Sequence, residues 1–133
     1  YSFNKKIKLT ENITNLSFGD NFNQKIELTK NITNLSFGDN FNQNIKLMKN
    51  IINLKLGRKF SKQTRLAKNL TLINNTKIIN YLTNEVENLT LNNGGYYYYN
   101  KKIQNLPNSI KTIKVKNYNV IAKSPLKAYI EFI

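Results

Sequence analysis

Two acidic side chains, Glu85 and Glu87, stand close enough in the sequence to be weighed as an acid-base pair, one donating a proton and the other accepting it. Neighbours two apart at the edge of a strand share a face turned to solvent, so the same pair also reads as ordinary surface charge. Asp20 and Asp39 occupy equivalent places 19 residues apart, a possible carboxylate ladder for which turn formation is the simpler account. The chain has no His and no Cys. The common nucleophile-base pairs and thiolate or imidazole zinc sites therefore cannot be assembled from it. Gly19, Gly38 and Gly57 are single and evenly spaced, unlike a phosphate-cradling loop, and read as strand ends. The expectation is a non-enzymatic protein with no cofactor and no metal.

Other polar residues suggest contact with a partner. Lys and Arg number 21 against 7 Asp and Glu, giving a net charge of +14 that favours acidic proteins, nucleic acid or anionic lipid. Abundant Asn, Lys and Ile all have AT-rich codons, so genome composition supplies lysines as well. Between Asp39 and Glu85 no acidic residue occurs, while Lys46, Lys49, Lys55, Arg58, Lys59, Lys62, Arg65, Lys68 and Lys77 do. A second basic stretch holds Lys111, Lys114, Lys116, Lys123 and Lys127. Tyr96, Tyr97 and Tyr98 follow Gly94 and Gly95 and precede Lys101 and Lys102, an aromatic and basic loop that could stack on bases or pack along the flank. N-x-S/T strings such as Asn12-Ile13-Thr14 and Asn88-Leu89-Thr90 would be glycan acceptors in a secreted protein, but a repeat of this composition generates them unaided.

The elements that position these residues come from a repeat. Phe3, Phe22, Phe41 and Phe60 are spaced by 19, as are Leu9, Leu28, Leu47 and Leu66. Ile13, Ile32, Ile51 and Leu70 keep the same period, and so do Leu16, Leu35, Leu54 and Ile73. Residues 12–24 are identical to 31–43, as a recent duplication would leave them. Leu82, Val86, Leu89 and Leu91 restart the pattern, and Leu106, Ile110, Ile113 and Val115 carry it again. The spacing is expected to shorten between Leu70 and Leu82, where Asn75 falls in a core column. A poor last unit at Leu126 and Tyr129 is expected to put Glu131 in a core place. One array results, with clear units over 3–59, a degenerate unit over 60–81, units over 82–118 and a poor terminal unit over 119–133. It starts inside a repeat without an initiator Met, which reads as a segment of a longer chain.

Within a unit, Ile13-Thr14-Asn15-Leu16-Ser17-Phe18-Gly19-Asp20-Asn21 follows the L-x-x-L-x-L-x-x-N core of leucine-rich repeats. Leu16 and Phe18 alternate with polar residues, so they point inward from a short strand. Stacked copies predict a β-rich solenoid: six to seven short parallel strands in one open curved sheet, with turns and extended segments instead of long helices on the return side. Tyr99 is expected in the Phe column, and Asn21 and Asn40 are expected to bond neighbouring coils. Outward strand positions then line an open face: Asn15, Ser17, Asn34, Ser36, Asn53, Lys55, Asn88, Thr90, Thr112 and Lys114. This face is the candidate partner site, and a merely solvated sheet face is the plain alternative.

The run Phe22-Asn23-Gln24-Lys25-Ile26, the Leu35-Ser36-Phe37-Gly38 strand and Leu106-Pro107-Asn108-Ser109-Ile110 together resemble the FNIP repeat. That relative of the leucine-rich repeat is abundant in social amoebae and giant DNA viruses of amoebae. The chain lacks the family's Ile-Pro after Phe-Asn and has the Leu-Pro-x-Ser string only at Leu106. What the resemblance implies is a curved solenoid that binds other proteins, at times joined to an F-box or a kinase domain, neither of which is visible here; the chain itself is expected to be monomeric. It brings no catalytic residues. The absence of cysteines, of a long apolar run and of a signal-peptide pattern fits an intracellular, cytoplasmic protein, or one of the host cytoplasm if the source is viral. Sequence-independent nucleic-acid binding through the basic stretches and the Tyr96 to Lys102 loop is the rival reading.

Overall fold

A computed structural model describes residues 3–75, 77–92, 99–103, 106–116, 118–122 and 129–132. Its main sheet has seven parallel strands, β1 (Asn15–Ser17), β2 (Asn34–Ser36), β3 (Asn53–Leu56), β4 (Asn69–Ile73), β5 (Asn88–Asn92), β7 (Thr112–Lys116) and β9 (Tyr129–Phe132), in that order. A second, two-stranded parallel sheet is formed by β6 (Tyr99–Ile103), on the return path between β5 and β7, and β8 (Tyr118–Ala122), which follows β7. In the earlier coils the return path is extended chain and turns, apart from one short 3₁₀ turn, Ile78–Tyr81. The solenoid expected from the repeat is therefore present, and its later return segments are regular enough to pair.

Each strand is short because only its alternating pair of apolar residues is needed to close the core. Leu35, Leu54, Leu70, Leu89 and Ile113 form one buried column and Phe37, Leu56, Leu72, Leu91 and Val115 the next. Phe22, Phe41 and Phe60 are fully buried on the far side of the coil. Phe18 and Phe22 stack with ring centroids 3.9 Å apart, and Phe37 and Phe41 do the same at 3.7 Å. Along the axis the rings repeat at 5.5 to 6.1 Å with nearly parallel planes, from Phe3 through Phe60. A solenoid gathers its apolar surface in this way because each coil buries its face only against its neighbours.

Gly38 and Gly57 do more than end strands. A Cβ on Gly38 would lie 2.6 Å from Asp20 Cα and Asp20 N, and one on Gly57 would lie 2.5 Å from the Gly38 carbonyl oxygen. Successive coils approach so closely at this corner that only a residue without a side chain fits.

Three expectations are corrected. Leu70 pairs with Leu54, and Ile73 pairs with Asn92, so Leu70 and Ile73 do not continue the columns of Ile51 and Leu54. The offset falls to 16 between β3 and β4 and returns to 19 between β4 and β5, which places the shortening before Leu70 and not between Leu70 and Leu82. Sheet pairing decided the phase, because a strand slipped by an odd number of residues would turn its apolar side chains outward. Asn75 is indeed buried, at 1% exposure, but as a fully bonded polar plug. Its amide donates to the carbonyls of Gly57 and Phe60, both at 2.8 Å, while its Oδ1 accepts the N–H groups of Lys77 and Ile78 at 3.0 Å. The preceding Asn74 has φ 51°, a left-handed conformation that Asn tolerates better than most residues. Finally, Glu131 pairs with Lys114 and is exposed, whereas Ile130 and Phe132 align with Ile113 and Val115. The last unit is one residue out of the expected phase.

Candidate functional site: the open strand face

The strand residues that do not enter the core emerge on one face in two long columns, with a shorter third of Ile73, Asn92 and Lys116 at the ends of β4, β5 and β7. Register places Asn15, Asn34, Asn53, Asn69, Asn88 and Thr112 in the first, and Ser17, Ser36, Lys55, Thr71, Thr90 and Lys114 in the second. All ten expected face residues fall in these columns. Asn69 and Thr71 belong there too and were missed, because the 19-residue count put the fourth strand out of phase. The string Asn69-Leu70-Thr71-Leu72, repeated as Asn88-Leu89-Thr90-Leu91, is the signal that finds them.

The asparagine column is a continuous amide ladder. Asn34 Nδ2 donates to Asn15 Oδ1, and Asn53 Nδ2 donates to Asn34 Oδ1. Asn69 donates to Asn53 at 2.8 Å, Asn88 to Asn69 at 2.7 Å, and the Thr112 hydroxyl to Asn88 at 2.7 Å. An amide side chain offers both a donor and an acceptor, so identical residues at strand spacing satisfy one another in series. The second column stays free: among the described residues, none of the Ser17, Ser36, Thr71 and Thr90 hydroxyls is engaged in a side-chain hydrogen bond. A shallow groove of ≈ 320 Å³ runs along this face over β1 to β4, with Ser17, Ser36, Lys55 and Thr71 on its walls.

Similar ladders bind the turns. Asp39 N–H donates to Asp20 Oδ1 at 3.1 Å, and Arg58 N–H to Asp39 Oδ1 at 3.2 Å. Asn4, Asn23 and Asn42 accept the N–H groups of Asn23, Asn42 and Ser61 at 2.9, 2.9 and 3.0 Å. Asn40 donates to Asn21 across the coil boundary at 3.4 Å. The Asp20 and Asp39 carboxylates are thus turn caps, as the simpler account of them had it.

Glu85 and Glu87 do not face one another as a proton-passing pair; each meets cations. Glu87 lies 3.0 Å from Lys111 Nζ and 3.7 Å from Lys68 Nζ, and Glu85 lies 3.8 Å from Arg65. The hydrogen bond from Lys111, with the charges of Lys111 and Lys68, holds the Glu87 carboxyl below its ordinary 4.5 despite some desolvation. Glu85 is also lowered, first by the Thr83 hydroxyl, then by its own backbone N–H and by Arg65. Lys68, Glu87 and Lys111 follow one another at the entry to β4, β5 and β7, where the Lys68 carbonyl accepts Glu87 N–H and the Glu87 carbonyl accepts Lys111 N–H. They edge the open face without entering it.

Tyr96, Tyr97 and Tyr98 lie outside the described residues. Lys101 and Lys102 belong to β6, where their backbones pair with Val120 and Ile121, so they sit in the smaller sheet and not in the sheet that carries the open face. Tyr99 starts β6 and pairs with Tyr118. Among the described residues there is no cluster of three or more metal-ligating side chains, and no helix is long and apolar enough to cross a membrane.

Residues 3–29 and 22–48 each match the model of the FNIP repeat, and the two matches begin at Phe3 and Phe22, the first two rungs of the phenylalanine stack. The first two units of the chain, over residues 3–48, are FNIP repeats. No curated protein and no solved structure matches it. In this solenoid Asn4, Asn23 and Asn42, each directly after a Phe, cap the next coil, which gives the Phe-Asn dipeptide of the repeat a direct structural task.

Proposed function

We propose that this solenoid is a non-enzymatic scaffold that holds a protein partner on its open strand face. The observation that carries the reading is the pairing of a continuous amide ladder with a free column of hydroxyls and lysines beside it, extending over six strands. The ladder ties neighbouring strands together, so the free column beside it is held at regular strand spacing, and a surface of fixed spacing has less to order when a partner arrives. The column has donors, acceptors and charge for specificity, and the groove gives a partner somewhere to seat. Nucleic-acid binding has weaker support, since the described lysines are spread over turns, strand entries and the open face instead of forming one stripe.

A benzophenone side chain placed at Thr71, on the open face, tests this against one at Asn44, exposed on the return side. The expected result is a discrete protein adduct from the Thr71 probe in extract and none from the Asn44 probe. Equal labelling from both positions, or labelling from Asn44 alone, would overturn the assignment of the face.

A further inference from the structure

On the reading that the open face holds a protein, we propose that its occupant is an extended acidic segment lying across the strands, with carboxylates four residues apart meeting Lys55 and Lys114. The direction follows from the sheet. Backbone groups of the inner strands are paired with their neighbours, so a partner cannot add itself as another strand within the face. It must cross the strands and touch side chains. The asparagine column spends a donor and an acceptor of its amides on itself, which leaves the Ser17 to Lys114 column as the row of side chains not engaged with one another.

The charge of that row selects the partner. Outward positions on β1 to β5 and β7 include Lys55, Lys114 and Lys116 and no carboxylate. The nearest acids are accounted for: Asp20 and Asp39 cap turns, and Glu87 is held by Lys68 and Lys111. Glu131 pairs in register with Lys114 one strand further on, so it ends the basic stretch.

The spacing selects the pattern. Lys55 and Lys114 lie on β3 and β7, three strand spacings apart, which is about 14 Å at ~4.8 Å per strand. An extended chain rises ~3.4 Å per residue and shows alternate side chains to one face, so residues i and i+4 span the same distance. Residue i+2 then faces Thr71 and Thr90, whose hydroxyls suit a small polar side chain. A nucleic-acid strand, charged at every residue, would gain from a cation on each strand and from aromatic planes for its bases. The outward positions of β4 and β5 provide Thr, Asn and Ile and no aromatic ring.

Fluorescence anisotropy of the whole chain tests the proposal with four probes: a labelled threonine-rich peptide with glutamates four apart, the same peptide with adjacent glutamates, its glutamine version, and oligothymidylate. The four-apart peptide is expected to bind about tenfold more tightly than the glutamine version, as two exposed ion pairs acting together allow. Lys55→Gln and Lys114→Gln should each weaken it roughly threefold, while Lys59→Gln, which removes the same charge from an exposed turn, should leave it unchanged. Equal affinity for the two glutamate spacings, an equal loss at Lys59, or tighter binding of oligothymidylate would each overturn the proposal. If no peptide binds while the Thr71 probe still forms its protein adduct, the acidic occupant is wrong and the scaffold reading stands. If neither occurs, both fall.

Discussion

Asn69 donates its side-chain amide to Asn53 across 2.8 Å although only 16 residues separate them, three fewer than separate Asn34 from Asn53. The return path absorbs the deletion and the ladder does not notice it. Strand register in this solenoid is therefore held by the strands themselves, by paired leucines beneath and linked amides above, while the length of the intervening chain is free to vary.

Breaking the ladder in its middle should have a modest, measurable cost. Asn53→Ala removes the donor to Asn34 and the acceptor of Asn69, both on an exposed face where water can replace the lost partner. The expected loss is about 1 kcal/mol, the usual net worth of such bonds, read as a lower urea midpoint with an unchanged slope. Unaltered stability would mean that the ladder only decorates the sheet.

The corner glycines should be far less forgiving. In Gly38→Ala the new methyl would meet Asp20 backbone atoms at 2.6 Å, and backbone cannot rotate aside as a side chain can. Overpacking of this kind costs about 1 to 3 kcal/mol, and here it would act on the spacing of two adjacent coils. Thermal unfolding of the variant at the wild-type midpoint would show that the coils have slack at this corner.

Much of this architecture can be read from residue spacing alone. Phe3, Phe22, Phe41 and Phe60 announce the coil length, and the alternation at Leu16 and Phe18 announces which side chains are buried. The open face follows from those two facts, apart from Asn69 and Thr71. These escape a fixed 19-residue count because apolar residues at Leu66, Leu70 and Ile73 happen to satisfy it as well, and only pairing between strands decides between the two phases. Glu131 escapes for a similar reason, since the final unit has too few apolar residues to mark its phase without a partner strand. The satisfied state of the asparagine column is not visible from spacing at all. It depends on rotamers that bring each Nδ2 to the next Oδ1, a three-dimensional fact that one dimension of periodicity does not contain.

Asn75 distinguishes a core column from a polar plug. Four backbone groups, the carbonyls of Gly57 and Phe60 and the N–H groups of Lys77 and Ile78, depend on this one side chain in a site with 1% exposure. Asn75→Leu supplies apolar volume but satisfies none of them, so it should lose about 3 kcal/mol and Asn75→Ala about as much. A position that wanted a hydrophobe would instead be stabilised by leucine. Chemical denaturation of the two variants side by side separates these cases.

The charge triplet at the strand entries makes stability depend on pH in a definite direction. Lys111 and Lys68 lower the folded-state pKa of Glu87 below its ordinary 4.5, so the folded protein holds this carboxylate ionised more firmly than the unfolded chain does. The contribution is complete above about pH 4.5 and is lost as pH falls through the lower folded value, because the unfolded chain takes up its proton first. Glu87→Gln should therefore lower the melting temperature slightly near pH 7, by a margin that shrinks as pH falls below about 4.5 and closes once the folded wild-type side chain is neutral as well. Added salt should shrink the difference at pH 7, since all three side chains reach solvent and their attraction is screened. A variant that stays below the wild type by the same margin at every pH would assign the effect to packing of the side chain, and the ion triplet would then have no part in holding β5 between β4 and β7.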